Sequence, residues 1–560
     1  MIYGVNDTPP QIVTLLNGLQ HVGLIAIYLV YPLLVFRLAG TAPGVIANLL
    51  AIAMLVLGVA TFLQVLRLGP FGSGYMCPST FTAIYLSPSL VAATIGGLPL
   101  VFGMTMFAGA LEVALAPLLQ RLRPIFPPEI SGLVVFMVGV SAGMAGVRSL
   151  LGAQAAPVAA AEWWVGGITF ATMVALNIWG TGIVRMVCTL LGLLAGYAAA
   201  AVTGIVGGNE MALVAHAATF GLPDFSAVSW SFDVGLAVPF AIASVAAAMK
   251  VMGNITVCQR TSDANWVRPD MRSITRGVLA DGAATALAGF AGAVGTNSST
   301  PSVGLAAAVG VASRQVAYAI GALFLLLGFF PKLAAALAVM PRPVIVAALL
   351  FSVSYIIING LQVMTSRLLD ARRTLVIGLS IIAGTTVEVF PTLAAGVPKS
   401  VAPLFGSSLV FSTVIALSLN LLFRLGVRKT LHLEVDPADW KVSQIDDELR
   451  KQGGIWGARA DVISRASWAI AQVIDAVAEN CWREGRLVIE VSFDEFNLDV
   501  DITYHGEALE FPAQRPSEDE ILDSEGGVRR LAGYMLRHIA DRVRSEAKGD
   551  TAHLKVHFDH

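Results

Sequence analysis

Between residues 16 and 426 the chain returns repeatedly to apolar stretches of roughly 20 residues, the length an α-helix needs to cross about 30 Å of hydrocarbon. A backbone crossing lipid must satisfy its own N–H and C=O groups, so this pattern requires a bundle of membrane-spanning helices. The stretches cover approximately residues 16–38, 43–65, 98–120, 128–147, 163–182, 184–206, 233–254, 276–295, 315–339, 343–364, 372–391 and 405–426. Two more, 72–92 and 296–313, are apolar but broken by Gly, Pro, Ser and Thr. With these two the count is fourteen, and the broken pair stands third and tenth. In a chain of two seven-segment halves those positions correspond, which is the pattern of an inverted-repeat transporter with a midplane site. The competing reading makes both runs ordinary polar loops.

Charge divides the chain in two. Residues 1–430 hold 21 Lys and Arg against 12 Asp and Glu, whereas residues 431–560 hold 15 against 26. The first part is expected to be an all-α polytopic membrane domain, and the acidic second part, 130 residues long, a small α/β domain able to bury its own core. With 56% hydrophobic residues, 13% charged and a mean hydropathy of +0.73, an ordinary soluble protein is excluded. If the N-terminus is cytoplasmic, the inner loops carry twelve basic residues: Arg67, Arg121, Arg123, Arg185, Arg260, Arg268, Arg272, Arg276, Arg314, Arg367, Arg372 and Arg373. The outer loops carry five: Arg37, Arg148, Lys332, Arg342 and Lys399. That bias places both termini, and hence the acidic tail, in the cytoplasm of a bacterial-type inner membrane. Cys77, Cys188, Cys258 and Cys481 are too scattered for a disulfide framework or a metal site, and residues 1–18 lack the basic start of a cleaved signal peptide.

Irregular backbone at membrane depth is tolerated only where it is buried in protein or lines a cavity, so both broken segments are expected to line the site. Short helices starting after Ser79, itself preceded by Pro78, and after Pro301 would point their free N–H groups and positive dipole ends into that cavity, favouring acceptors and anions. Thr300 and Ser302, with Thr296, Asn297, Ser298 and Ser299, would read the polar edge of a planar ligand. Lys250 lies in an apolar span, where an ammonium is costly unless it pairs or meets water. Two readings stand: a site residue, or a side chain snorkelling to the cytoplasmic interface near Arg260. Gln20 and His21 open the first span, as site members or as packing residues. Asp281 is either a structural hydrogen-bonding group or a proton carrier. Glu112 and Glu388, also within spans, are read as packing or gating groups.

From these residues a resemblance emerges over roughly residues 10–428. Gln20-His21, the run Arg276–Gly282, the run Pro301–Arg314 and the run Met340–Ile345 resemble the nucleobase:cation symporter-2 or nucleobase-ascorbate transporters, which include bacterial xanthine, urate and uracil permeases. The third run is similar to the family signature: Pro301, Gly304 and Gly310 fit it, while Ser302 and Val309 stand where Asn and Thr are usual. In the eighth span the family's base-binding Glu and its Asp or His four positions on align with Lys250 and Asn254. A carboxylate acceptor has become a donor-only cation. Related anion-transporter families of the same fold also place a cationic group beside paired helix N-termini. The resemblance implies a core domain of spans 1–4 and 8–11, a gate domain of spans 5–7 and 12–14, alternating access, and a homodimer through the gate.

In the tail, residues 462–479 read as a helix, 486–493 and 498–504 as a strand pair, 527–543 as a helix and 551–558 as a strand. This order looks like the histidine-kinase-type and anti-sigma-factor ATPase fold. By that resemblance Asn480 would sit near the Mg-binding Asn, and Gly506 and Gly526-Gly527 near the glycine boxes; Tyr504 or His505 replaces the adenine-reading Asp. A non-catalytic regulatory or dimerisation module is expected, with an unrelated α/β tail as the alternative. The leading functional reading is a secondary transporter of a nucleobase or planar purine, with a possible coupling proton or cation, no cofactor and no nucleic-acid partner. Transport of another organic or inorganic anion is the alternative, as is a ligand sensor signalling through the tail. No nucleophile, metal set or phosphate loop suggests an enzyme.

Overall fold

Most of the apolar stretches form helices whose ends fall where proline, glycine or a polar residue interrupts the run. The computed structural model describes all residues except 1, 68, 119–126, 152–158, 187, 227, 264–265, 267–268, 366–368, 370, 391–407, 425–428, 438–439, 457, 481, 495–496, 518–526 and 560. Of the loop cations counted above, Arg121, Arg123, Arg268, Arg367 and Lys399 therefore lie outside the described residues. Contacts divide the chain into two units, Met1–Asn420 and Leu421–His560.

In the first unit α1 (Gln11–Ala26) passes through one 3-10 turn into α2 (Val30–Leu38). Helix α3 (Pro43–Val65) begins on a proline, whose missing N–H costs nothing in the first turn. Strand β1 (Ser79–Phe81) and α4 (Leu86–Leu115) follow. Helix α4 is two pieces joined at Gly97 (φ 65°, ψ −159°), two residues before Pro99. The first piece belongs to the broken third stretch and the second to the fourth. Next come α5 (Pro128–Leu151), α6 (Ala160–Trp179), α7 (Gly182–Met186), α8 (Cys188–Val202) and α9 (Gly208–His216). The last of these is a short helix in what the sequence pattern reads as a connection. The second half holds α10 (Ala237–Ser262), α11 (Met271–Ala291), β2 (Thr296–Ser298), α12 (Thr300–Val309), α13 (Arg314–Gly328) and α14 (Pro331–Ala338). It ends with α15 (Arg342–Met364), α16 (Ala371–Val389) and α17 (Ser408–Arg424).

The stretch 315–339 is not one straight span. Helices α13 and α14 meet at 81°, because Phe330 leaves helical geometry and Pro331 can begin a helix but not continue one. Among the described residues six helices are long and apolar enough to cross a membrane, or seven if this bent pair counts as one. The chain is a multi-pass membrane protein.

Helix α4 packs along α11, α3 along α13, α5 along α15, α10 against α4 and α1 against α13. The first of these contacts is made backbone to backbone. A Cβ on Gly109 would lie 2.2 Å from the Ala286 nitrogen, and one on Gly282 2.8 Å from the Val113 nitrogen, so neither position accepts a side chain.

The second unit is a five-stranded antiparallel sheet with strand order β3 (Lys429–Val435), β4 (Trp482–Phe493), β5 (Asn497–Gly506), β7 (Thr551–Asp559), β6 (Arg542–Lys548). Three helices, α18 (Val442–Trp456), α19 (Ala460–Asn480) and α20 (Gly527–Ile539), complete it. Leu498, Val500, Ile502 and Tyr504 alternate along β5 and face a core shared with Val473, Val477 and Leu536. The helix expected over 527–543 stops at Ile539, and Arg542–Lys548 is instead the edge strand β6, paired to β7. The physical reason is a period of two: Arg542, Arg544 and Glu546 are exposed, with Val543 and Ser545 half-buried between them. Gly526 and the side chain of Asn480, named above for a nucleotide site, lie outside the described residues.

Candidate functional site

The two broken segments meet. Strands β1 and β2 pair antiparallel, with Ser79 opposite Ser298, Thr80 opposite Asn297 and Phe81 opposite Thr296. The Ser299 N–H extends the pairing by donating to the Pro78 carbonyl at 2.8 Å. Each strand thereby satisfies polar backbone that lipid could not.

Buried side chains hold β2 from three sides. The Thr285 hydroxyl donates to the Thr296 carbonyl at 2.9 Å, and the Asn254 amide donates to the Ser298 hydroxyl at 2.7 Å. The Asn297 amide donates to Asp281 Oδ2 at 2.8 Å and to the Ala247 carbonyl at 3.0 Å. After β2, Ser299 caps α12: its Oγ accepts from the Ser302 N–H at 3.4 Å and donates to the Ser302 hydroxyl at 3.0 Å. Strand β1 has less polar support, chiefly the Ser79 N–H donating to Thr61 Oγ1 at 3.2 Å. Apolar burial of Phe81, Ile84 and Tyr85 holds it in place.

Beside this strand pair lies a cavity of about 860 Å³. That falls within the roughly 300–1,000 Å³ typical of small-molecule sites. Its wall is aromatic and aliphatic, with Tyr28, Tyr31, Phe81 and Phe351 prominent, and a few polar groups converge on it: Gln20, Thr80, Asn177, Lys250 and Thr300. Four polar atoms of this lining are buried without a hydrogen-bond partner among the described residues. They are Gln20 Nε2, Tyr31 Oη, Thr80 Oγ1 and Thr300 Oγ1. Buried polar groups are rarely left unsatisfied, so these atoms mark where a ligand's own polar edge would be met. Lys250, partly buried on α10, forms no salt bridge among the described residues.

Of the residues singled out from the sequence, Gln20, Lys250, Thr300 and Pro301 line this cavity. Asn254, Asp281 and Ser302 stand behind the wall, engaged in the hydrogen bonds just described. Pro78 and Ser79 belong to the strand pair and its extension, and His21 is buried with Nδ1 unpartnered. Gly304 is exposed, and a Cβ there would meet nothing within 4 Å.

The helix starts also differ from expectation. Helix α4 begins at Leu86, after a turn at Ala83–Tyr85, not directly after Ser79, because Ser79–Phe81 is taken up by pairing with β2. Helix α12 begins at Thr300 with Pro301 inside its first turn, where proline is tolerated.

Tyr28, Tyr31, Asn177 and Tyr355 line the cavity without having been singled out, and so does Arg185, named above only as an inner-loop cation. For the first two a signal existed: Gln20, Leu24, Ile27, Tyr28 and Tyr31 follow the spacing of one helical face. Tyr355 donates to Asn177 Oδ1 at 2.9 Å, a contact across distant segments that no local pattern carries. Of the two other intramembrane acids, Glu388 pairs with Arg148 at 3.0 Å, while Glu112 accepts from the Tyr85 hydroxyl at 3.3 Å.

A helical membrane bundle that pairs two broken segments beside a ligand-sized cavity has the build of a membrane carrier. Residues 13–393 match the family described as Permease family (Xan_ur_permease), and the chain belongs to it; it is a permease and not an enzyme. Among its relatives, the xanthine permease XanP of Escherichia coli is 26% identical over 445 residues, 76% of this chain and 94% of the relative. The uric acid permease PucK of Bacillus subtilis is 27% identical over 416 residues, 73% of this chain and 94% of the relative. The nucleobase transporter PlUacP of Paenibacillus larvae is 27% identical over 427 residues, 74% of this chain and 95% of the relative. Among solved structures, the transmembrane domain of a cyanobacterium bicarbonate transporter, BicA, aligns at a TM-score of 0.47 and 12% identity, covering 73% of this chain and 96% of that one.

Proposed function

We propose that this permease carries a purine nucleobase in anionic form, such as urate or deprotonated xanthine, across a bacterial-type inner membrane by alternating access. The observation that carries the reading is the convergence of Lys250 with the unpartnered Thr80, Thr300 and Gln20 groups on one aromatic-walled cavity. Aromatic walls suit a flat ring, unpartnered donors and acceptors suit its heteroatom edge, and an ammonium suits its charge. The names of the xanthine and uric acid permeases above support the substrate class. Lys250, Thr300, Pro301, Gln20 and Thr80 contact the base in this reading. Asn254, Asp281, Ser302, Ser79, Pro78, Gly304 and His21 position the elements that do.

The same reading takes residues 1–430 as fourteen segments in two inverted sevens, with both termini cytoplasmic. Packing supports it. Adding or subtracting seven turns the contact of segments 4 and 9 (α4 on α11) into that of 11 and 2 (α13 on α3). It turns the contact of 8 and 4 into that of 1 and 11, and returns 5 with 12 and 3 with 10 to themselves. Segments 1–4 and 8–11 then form the core, 5–7 and 12–14 the gate through which two copies pair, and residues 431–560 a cytoplasmic regulatory module.

Uptake of radiolabelled urate and xanthine into proteoliposomes holding the full chain is expected to be saturable. Lys250→Gln should weaken urate by roughly tenfold to a hundredfold, the loss of a charged hydrogen bond of about 1.5–3 kcal/mol. Lys250 favours a second reading, a smaller organic anion. Uptake of a carboxylate with no uptake of either purine would replace the purine reading with that one.

A further inference from the structure

The two edges of the tail's sheet are finished differently. Strand β6, at one edge, puts Arg542, Arg544 and Glu546 into solvent. On its other face it has Val543, Ser545 and Ala547, opposite Val556, Leu554 and Ala552 of β7, so it offers an incoming strand much charge and little apolar surface. Strand β3, at the opposite edge, carries Leu431, Leu433 and Val435 on its inner face, paired with Val491, Ile489 and Leu487 of β4. All three pack against the core yet stay half-buried, and from Leu431 to Val435 no charged residue shares their face. The one extensive contact of β3 among the described residues is β4. A strand bonded on one side only presents a row of main-chain N–H and C=O groups on the other, and aliphatic side chains beside that row make it a surface for strand pairing.

We propose that the tails of two copies of this chain join at β3, strand to strand and antiparallel, making one ten-stranded sheet from two five-stranded ones, an inference that rests on the homodimer reading. One strand meeting itself gives a two-fold contact, in which residue i meets residue j and j meets i. Because side chains alternate, only registers that pair like faces keep Leu431, Leu433 and Val435 together. One of these sets Leu433 on the two-fold axis, with Leu431 opposite Val435 and His432 opposite Glu434, each twice. Moving the axis one residue either way sets His432 against itself or Glu434 against itself. Charge therefore selects the register. Within one chain Glu434 lies 3.6 Å from Arg486, both side chains 66% exposed, and a pair so open to water holds little against a new partner.

The chain also brings the right partner near. Four residues, 425–428, separate α17 from β3, and α17 is the fourteenth segment, part of the gate through which two copies pair in the reading above. So short a tether keeps the two β3 strands at high local concentration. The contact closes on itself: it uses the one apolar edge of each tail and leaves the charged β6 edges outermost, where they oppose further addition.

The test uses the full chain, solubilised in detergent. A short bis-methanethiosulfonate reagent should capture Leu433→Cys as a covalent dimer, read as a doubled mass on a denaturing gel. Arg544→Cys on β6 should stay single, and the wild type, with its own four cysteines, is the blank. Adding His432→Glu to Leu433→Cys sets Glu against Glu434 and should slow capture roughly threefold to tenfold, the loss of two cross-strand pairs. Adding Glu434→His as well restores opposite partners and should restore the rate, which a merely damaged strand would not allow. Light scattering on the same samples reports the oligomer independently. A dimer by scattering with no capture of Leu433→Cys, or with equal capture of Arg544→Cys, overturns the β3 contact and leaves the homodimer reading standing. Capture indifferent to the charge changes overturns the register. A monomer by scattering removes the homodimer reading and this inference with it.

Discussion

The two broken segments, numbered third and tenth above, pair with each other yet are held in opposite ways. The tenth is held mainly by polar groups: Asn254, Thr285, Asp281 and the Ser299 cap bond to β2 and the start of α12, with Asn297 Oδ1 and Thr300 Oγ1 left unpartnered among the described residues. The third is fixed mainly by apolar burial of Phe81, Ile84, Tyr85 and Leu86, and its helix starts without a side-chain cap. It leaves the hydroxyls of Ser79, Thr80 and Ser89 unpartnered among the described residues. The tenth segment is thus the one with side-chain hydrogen bonds along its strand, and the third the one whose strand hydroxyls are left unmet. Polar support and unmet polar groups are divided between the two strands of one small ribbon.

The largest test of that division is Asn297→Ala, which strips a hydrogen bond from the buried Asp281 and another from the Ala247 carbonyl. Loss of about 2–4 kcal/mol of stability is expected. A drop in the thermal unfolding temperature of the detergent-solubilised protein should show it, and an unchanged midpoint would mean that β2 is not held from this side. Ser299→Ala should cost about 1 kcal/mol by removing the α12 cap. Measured by the same melting assay, it should exceed any effect of Ser89→Ala in the uncapped third segment. Thr80→Val should change stability least, by under about 0.5 kcal/mol, because it deletes a hydroxyl with no partner among the described residues. It should instead weaken purine binding by about 1 kcal/mol, a roughly fivefold rise in Kd by titration calorimetry. A Thr80→Val protein that melts early but binds normally would reverse the assignment of roles.

Much of this was legible in the sequence, and the limits are physical. Long apolar runs announce helices because lipid permits little else, and Gly, Pro, Ser and Thr clusters announce the breaks. Lys250 stood out because an ammonium in such a run is expensive. Asn254 and Asp281 are conspicuous as polar residues in apolar runs, but the sequence does not say that they bond to the strand behind the wall. That depends on which way a helix is turned. Tyr28 and Tyr31 look like packing until Gln20 is seen on the same face, and Tyr355 meets Asn177 only through tertiary contact. Glu112 reads as a packing or gating group, and its bond from Tyr85 becomes visible only in the fold. In the tail, the residues after Ile539 continue an amphipathic helix on paper, but their alternation suits the edge of a sheet, and β7 supplies the partner.

The ribbon of β1 and β2 has one more consequence. Because the two strands bond to each other along their facing edges, the ribbon's form does not depend on which side chains β1 carries at the cavity wall. A carrier built this way can be retuned one residue at a time without disturbing its scaffold. Relatives named for xanthine and for uric acid can then share a single frame.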